Sequence, residues 1–437
     1  MHNMTNIKII DNLEPEVGAM LQAMYSRSHQ SIDARIDELG QDNDTLKASF
    51  GKYYIGYGHE SIADCAVTTI YIEGVSLLAA KVIQDFPLYN GQESSTRYID
   101  FSKQGWVDVY PQFGSLNKEC LDFYLNSQAE LFEHLAIEFP GDRADPKYIK
   151  TLQTKVFDIL RGFLPGGMKT QLSWFVSLRQ AYSRLVELYY HPLLEIRNLT
   201  IDIINQLTIK YPTTFNNIYV DIETKRDFYN SYSNLIFYNE IDDIDLDVFN
   251  KLESTVLSPT GWNNDVVKRN NRKMPIPRFL QFQSDMFFEF KLDYASARDL
   301  LRHRNGYIPL PILESRLGFN DWYLDQLSEN LRSRAKLLLS KVKNCLDNSN
   351  LSKYDQQYYL PIGYNVPIVA KLSLSQIFYI IELRSSKTVH PTLRKVIHQI
   401  ASIMINKYEI NKYCNVFCDW DEVDNTLKRA DQDIYLE

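Results

Sequence analysis

The sequence predicts a chain of mixed helix and strand, with helix in the majority, laid out as two halves that repeat one order of landmarks. Three observations carry this. Long stretches space their apolar residues along one helical face, as Val17, Met20, Leu21 and Met24 do within Glu14 to Tyr25. Two runs rich in β-branched and aromatic residues, Val67 to Ile72 and Met286 to Phe290, read as strands, and a helical stretch follows each. Leu164-Pro165-Gly166-Gly167 and His191-Pro192 are echoed in the same order by Leu360-Pro361-Ile362-Gly363 and His390-Pro391.

The elements follow in order. After the helix at Glu14 to Tyr25, a glycine-punctuated turn from Gly51 to Gly58 leads into a short helix that Ser61 and Asp64 can cap. The strand at Val67 to Ile72 gives way at Gly74-Val75-Ser76 to an apolar helix from Leu77 to Ile83. Leu116 to Phe139 and Lys147 to Phe163 read as long amphipathic helices around a Pro140-Gly141-Asp142-Arg143 turn. Leu164-Pro165-Gly166-Gly167 ends the second helix, because Pro lacks the backbone donor and Gly tolerates positive φ. Thr170 to Leu188 and Pro192 to Ile209 resume a helical pattern. From Tyr211 to Asp247 the composition turns to Asn, Asp and Tyr and periodicity weakens. The domain boundaries read as 1–212 for the first half, 213–250 for a junction and 251–437 for the second half. In that half Ala295 to Arg302, Leu324 to Leu346 and Ala370 to Leu383 read as helices.

Composition narrows the function. The 437 residues allow two to three domains with a sizeable core. A net charge of -8 argues against a polymeric nucleic acid as ligand, since that binding neutralises many phosphates. A mononucleotide needs only a few local arginines. Five scattered cysteines fit a reducing compartment better than a disulfide scaffold, and Cys414 with Cys418 has no second pair to complete a metal site. Neither a leader nor a membrane-spanning run is visible, so the cytoplasm is the expected location, with no membrane partner.

Two clusters could carry chemistry. Glu93-x-Ser95-x-Arg97 offers an acceptor, a hydroxyl and a cation, and in an extended loop residues two apart face the same way. Arg302-His303-Arg304 concentrates positive charge behind Asp293-Tyr294 and Arg298-Asp299. Arg179 and Arg197 are further cations of the first half, and His59 stands at a loop-to-helix entry. Taken singly, each also fits an ordinary role: a solvated turn, a basic helix end that complements the macrodipole, or a cap.

Together these fragments resemble the flavin-dependent thymidylate synthases and their R-H-R-x-x-S-x-N-E-x-S-x-R-Y signature. Gln92-Glu93-Ser94-Ser95-Thr96-Arg97-Tyr98 is similar to its second end and Arg302-His303-Arg304 to its first. Thr170, Ser177-Leu178-Arg179 and Glu195-Ile196-Arg197 resemble the later segment of that family. The departures are complementary. Asp85-Phe86-Pro87 stands where the first half should carry R-H-R, with Asn90 and Gln92 altered beyond it. Ile308-Pro309-Leu310-Pro311 stands where the second half should carry the nucleotide loop, and Ser375 falls near the counterpart of Arg179. Val82 and Asp299 occupy the place of a family Gln.

The resemblance implies an α+β fold of two tandem repeats, each a twisted, mostly antiparallel sheet with long flanking helices. It implies FAD as cofactor, NADPH and methylenetetrahydrofolate as co-substrates, and methyl transfer to dUMP. A homodimer would then form a pseudo-tetramer with composite sites where a first repeat meets a second. Glu93, Ser95, Arg97, Arg179 and Arg197 would hold the nucleotide; Arg302, His303, Arg304 and His59 would contact the flavin. No enzyme nucleophile is implied, so no catalytic residue is assigned, and Cys65 reads as a buried helix residue. Two alternatives stay open: flavin chemistry on another pyrimidine nucleotide, and a non-catalytic nucleotide-binding or scaffold protein.

Overall fold

The computed structural model describes residues 7–39, 43–52, 60–97, 99–238, 253–256, 269–277, 280–281, 285–412 and 414–421. The chain divides into two compact units, and the division does not follow chain order. One holds residues up to Ile72, Leu88–Gln92 and Leu172–Ser233; the other holds Glu73–Pro87, Glu93–Gln171 and the chain from Asn234 onward.

The first unit is mostly helical. Its helices Pro15–Tyr25, Leu178–Leu188 and Leu194–Lys210 bury Met20, Leu21, Leu185, Ile196 and Ile204. Buried Glu16 accepts a hydrogen bond from Thr214 Oγ1 at 2.8 Å, so its polar end is satisfied. Short helices Pro212–Phe215, Ile218–Thr224 and Arg226–Phe237 occupy the segment of weak periodicity. Cys65 follows the Glu60–Asp64 helix and is exposed, which corrects its reading as a buried residue. The apolar positions Ile62, Ala63 and Ala66 face inward around it, and Cys65 falls between them on the outer side.

The strands are β1 (Val67–Ser76), β2 (Lys169–Ser177), β3 (Glu253–Val256), β4 (Asp285–Asp293) and β5 (Asn365–Ser373). β1 pairs with β2 in a two-stranded sheet, and β3-β4-β5 form a three-stranded one. The second sheet is antiparallel, with Phe288 opposite Ala370 and Asp293 opposite Asn365. Helix with small antiparallel sheets makes the fold α+β. Two expected helices begin as strands. In Thr170 to Leu188 the first part is β2, because Thr170, Leu172, Trp174 and Val176 alternate inward with a period of two. The same holds for β5 before Leu374–Arg384. Serines make the switch. Ser177 Oγ accepts from Gln180 N at 3.3 Å, and Ser373 forms a capping box with Gln376. Other expected helices are shorter than read. Leu116 to Phe139 breaks at Ser127, and Leu324 to Leu346 breaks before Ser328, whose hydroxyl caps Glu329–Asp347.

Within the second unit the two Leu-Pro turns pair with each other. Gly166 N donates to Leu360 O at 2.9 Å, and Ile362 N donates to Leu164 O at 2.8 Å. Outside them, Gly167 N donates to Tyr358 O at 2.9 Å and Gly363 N to Gly162 O at 2.7 Å, with Pro165 facing Pro361. Each bond has a counterpart with the roles of the two turns exchanged. Glycines permit this approach: a Cβ on Gly166 would lie 2.4 Å from Gln357 O. Other contacts recur in the same way. Leu77 N donates to Met168 O and Tyr294 N to Tyr364 O, both at 2.9 Å. Lys169 N donates to Gly105 O and Asn365 N to Gly318 O, again both at 2.9 Å. β2 and β5 are each 9 residues long and run into helices of 11 residues. Among the described residues no helix is long and apolar enough to cross a membrane.

Candidate functional site

The second unit joins the two charged clusters through helix ends. The Leu77–Gln84 helix is capped by Ser76, which accepts from Ala79 N at 2.9 Å. The Tyr294–Leu300 helix is capped by Asp293, which accepts from Ser296 N at 2.9 Å. These helices deliver Lys81 and Arg298 to one carboxylate. Lys81 Nζ lies 2.9 Å from Glu93 Oε2, and Arg298 pairs with Glu93 Oε1. Gln84 Nε2 donates to Glu93 Oε2, and Gln84 Oε1 accepts from Lys81 Nζ, both at 2.8 Å. The Glu93 side chain is only 2% exposed. Burial alone would raise its pKa, but Arg298 and Lys81 outweigh that and hold it at about 2. Burial, opposed by Glu93 and aided by Arg298 and Arg302, brings Lys81 down to about 8.

Arg97 is equally engaged. Its Nε and Nη2 donate to the two oxygens of Asp158 at 2.7 and 2.9 Å, and Nη1 donates to Thr388 O at 2.7 Å. This is the bidentate fork that arginine favours with carboxylates. Ser95 Oγ accepts from Arg97 N at 3.2 Å, which fixes the loop locally.

Arg302, His303 and Arg304 follow directly on the Tyr294–Leu300 helix; Arg302, expected to end it, lies beyond. They line a cavity of about 400 Å³ together with Asn305, Gly306, Ile276, Gln281, Leu372 and one face of the Leu374–Arg384 helix, namely Ser375, Gln376, Tyr379 and Ile380. Arg304 Nε donates to Gln84 O at 2.8 Å, so Gln84 touches Glu93 through its side chain and Arg304 through its backbone. Arg302 is 44% exposed and lies 3.7 Å from Asp299. His303 Nε2 accepts from Arg384 Nε at 2.9 Å, which requires a neutral ring protonated on Nδ1. Burial, then Arg384, drives His303 down to about 3, so it stays neutral at ordinary pH. Burial would raise the pKa of Asp299, but Arg161, Arg302, Arg97 and Arg384 hold it below the usual carboxylate value. Cations outnumber carboxylates around this cavity, and the open guanidinium of Arg302 can take an anion.

The remaining expected residues lie elsewhere. Arg179, in the first unit, donates from Nε to Asp64 Oδ1 at 2.7 Å and from Nη1 to Glu60 Oε2 at 3.4 Å. Arg197 Nη1 donates to the carbonyls of His191 and Pro192 at 2.7 and 2.8 Å. His59 lies outside the described residues. Reading by residue type missed Lys81, Gln84, Asp158 and Arg384. One signal was available for Lys81: it stands four residues before Asp85-Phe86-Pro87, as Arg298 does before Arg302-His303-Arg304.

Comparison with known proteins adds what the chain is similar to. Residues 8–213 match the family described as thymidylate synthase complementing protein. A UPF0159 protein of Chlamydia muridarum is 23% identical over 97% of this chain and 94% of its own length. A UPF0159 protein of Chlamydia pneumoniae is 23% identical over 100% of this chain and 96% of its own. A third, from Thermoplasma acidophilum, is 20% identical over 79% of this chain and 84% of its own. Among solved structures, thymidylate synthase X from Helicobacter pylori, crystallised with FAD and dUMP, aligns with a TM-score of 0.29 and 16% identity, covering 46% of this chain and 94% of that one. The family match is confined to residues 8–213, and that segment is what the chain shares with the thymidylate synthase complementing proteins.

Proposed function

We propose that the protein is a flavin-dependent, thymidylate synthase-like enzyme acting on a pyrimidine nucleotide, with dUMP as substrate and methylenetetrahydrofolate and NADPH as co-substrates. The observation that carries this reading is the Arg302–Arg304 run. It forms the wall of a cavity and is tied through Gln84 and Arg298 to the Glu93–Arg97 loop. The two ends of the family signature thus serve one region of one unit. The reading includes two tandem repeats, supported by the exchanged bonds of the Leu-Pro turns and the recurring strand-to-helix contacts. It also includes a homodimer. On this reading Arg179 and Arg197 contribute to nucleotide binding in the first unit.

The cavity fits part of a flavin cofactor: Arg302 suits a phosphate or an electron-rich ring edge, and Tyr379 and Ile380 suit a planar ring. When bound, FAD would supply the redox and one-carbon transfer chemistry. The protein's own residues bind and orient. Arg302 and Arg304 hold negative charge, and neutral His303 keeps an uncharged wall between them.

A second reading is favoured by one observation. Glu93 and Arg97 are committed to internal pairs that hold the fold, as they would be in a non-catalytic nucleotide-binding or scaffold protein. One experiment separates the two. The purified full chain is examined for a flavin spectrum, reconstituted with FAD, and incubated with dUMP, methylenetetrahydrofolate and NADPH. Formation of dTMP is the expected result. A protein that takes up no FAD overturns the flavin reading. Nucleotide binding without product favours the second.

A further inference from the structure

We infer that Tyr379 and Gln376 make the Arg302–Arg304 cavity selective for a planar heteroaromatic ring joined to a phosphate, and that Tyr379 is its stacking surface. The inference rests on the cavity reading above and assigns residues outside the family signature. Tyr379 lines the cavity yet is 54% exposed, so part of its side chain is left uncovered among the described residues. Its ring stands edge-to-face with His303, at 5.8 Å between centroids and 70° between planes. That contact fixes its orientation, and stacking on a pre-set ring requires little further ordering. Leu372 and Ile380 supply apolar wall beside it.

Gln376 adds direction. Its Oε1 accepts from Ser373 N at 2.9 Å in the capping box. The acceptor end is therefore fixed toward the backbone, and the amide NH2 is the group left for the cavity. A donor there suits the carbonyl edge of a pyrimidine or of an isoalloxazine. Size narrows the class further. About 400 Å³ is at the small end of small-molecule sites, which suits a mononucleotide or the mononucleotide end of a flavin rather than a whole dinucleotide.

The test measures binding of inorganic phosphate, dUMP and FMN to the full chain by calorimetry. Tyr379→Leu is expected to weaken whichever ring-bearing ligand binds by about ten-fold or more, while phosphate binding stays within two-fold. Tyr379→Phe is expected to keep wild-type affinity. Gln376→Glu preserves the capping acceptor but removes the donor, and is expected to weaken the ring ligands by clearly more than it weakens phosphate. Preference for dUMP or for FMN identifies the source of the ring. A circular dichroism melt within two degrees of wild type certifies folding. Tyr379→Leu with unchanged ring-ligand affinity, or with an equal loss for phosphate, overturns the inference alone. A wild-type protein that binds none of the three probes overturns the cavity reading itself.

Discussion

Replacing Glu93 by Gln tests what this carboxylate does. The substitution keeps the shape and removes the charge. Lys81, 2% exposed, and Arg298, 6% exposed, then remain buried with no carboxylate between them. Removing one member of a buried pair typically destabilises by roughly 3–5 kcal/mol. Lys81 can relieve part of this by losing its proton, since its pKa is already down to about 8 with Glu93 present. Arg298 cannot. The net expectation is on the order of 3 kcal/mol, or roughly 3–5 °C in Tm by scanning calorimetry at pH 7. A second route gives the same scale. The folded pKa of Glu93 is depressed from 4.5 to about 2. Its stabilisation is therefore fully present above pH 4.5 and is lost as pH falls toward 2, and it is on the order of 3 kcal/mol. The gap between wild type and Glu93→Gln should widen from pH 7 to 5, as Lys81 regains its proton, and narrow below 4.5. A variant that melts with wild type at pH 7 refutes the reasoning. If it also loses nucleotide affinity, Glu93 is a ligand contact rather than a clasp.

Two further substitutions probe the frame and the cavity. Gly166→Ala places a methyl 2.4 Å from Gln357 O and 3.1 Å from Leu78 and Leu313 side chains, so it should lower stability by about 1–3 kcal/mol. Gly105→Ala, with open space around its Cβ, should stay within about 0.5 kcal/mol, and urea melts compare the two. Arg302→Ala removes a side chain that is 44% exposed, so the melt should move by less than about 0.5 kcal/mol while phosphate affinity falls by about ten-fold.

The fold was legible where one signal dominated. β-branched residues marked β1, and the paired Leu-Pro turns were visible as repeated text. β2 and β5 were not, because Leu172, Phe175 and Val176 satisfy a helical spacing almost as well as an alternating one. Burial decides between them, with Phe175 outward at 46% exposure and Trp174 inward at 0%. The candidate site was legible as residue types but not as pairings. Glu93 and Arg298 are far apart in sequence, and no local pattern says that their charges meet. Nor does a local pattern show that Asp158 takes up the fork of Arg97.

The exchanged hydrogen bonds between Leu164–Gly167 and Leu360–Gly363 have an evolutionary consequence. In a contact between two identical chains, every substitution near the axis appears on both sides at once. Here both sides belong to one polypeptide, so each can change alone. Gly166 and Ile362 occupy exchanged positions, and one is bare backbone while the other carries a branched side chain. Two identical copies could not hold that difference. A single chain can therefore specialise one side of the contact for packing and leave the other for close approach.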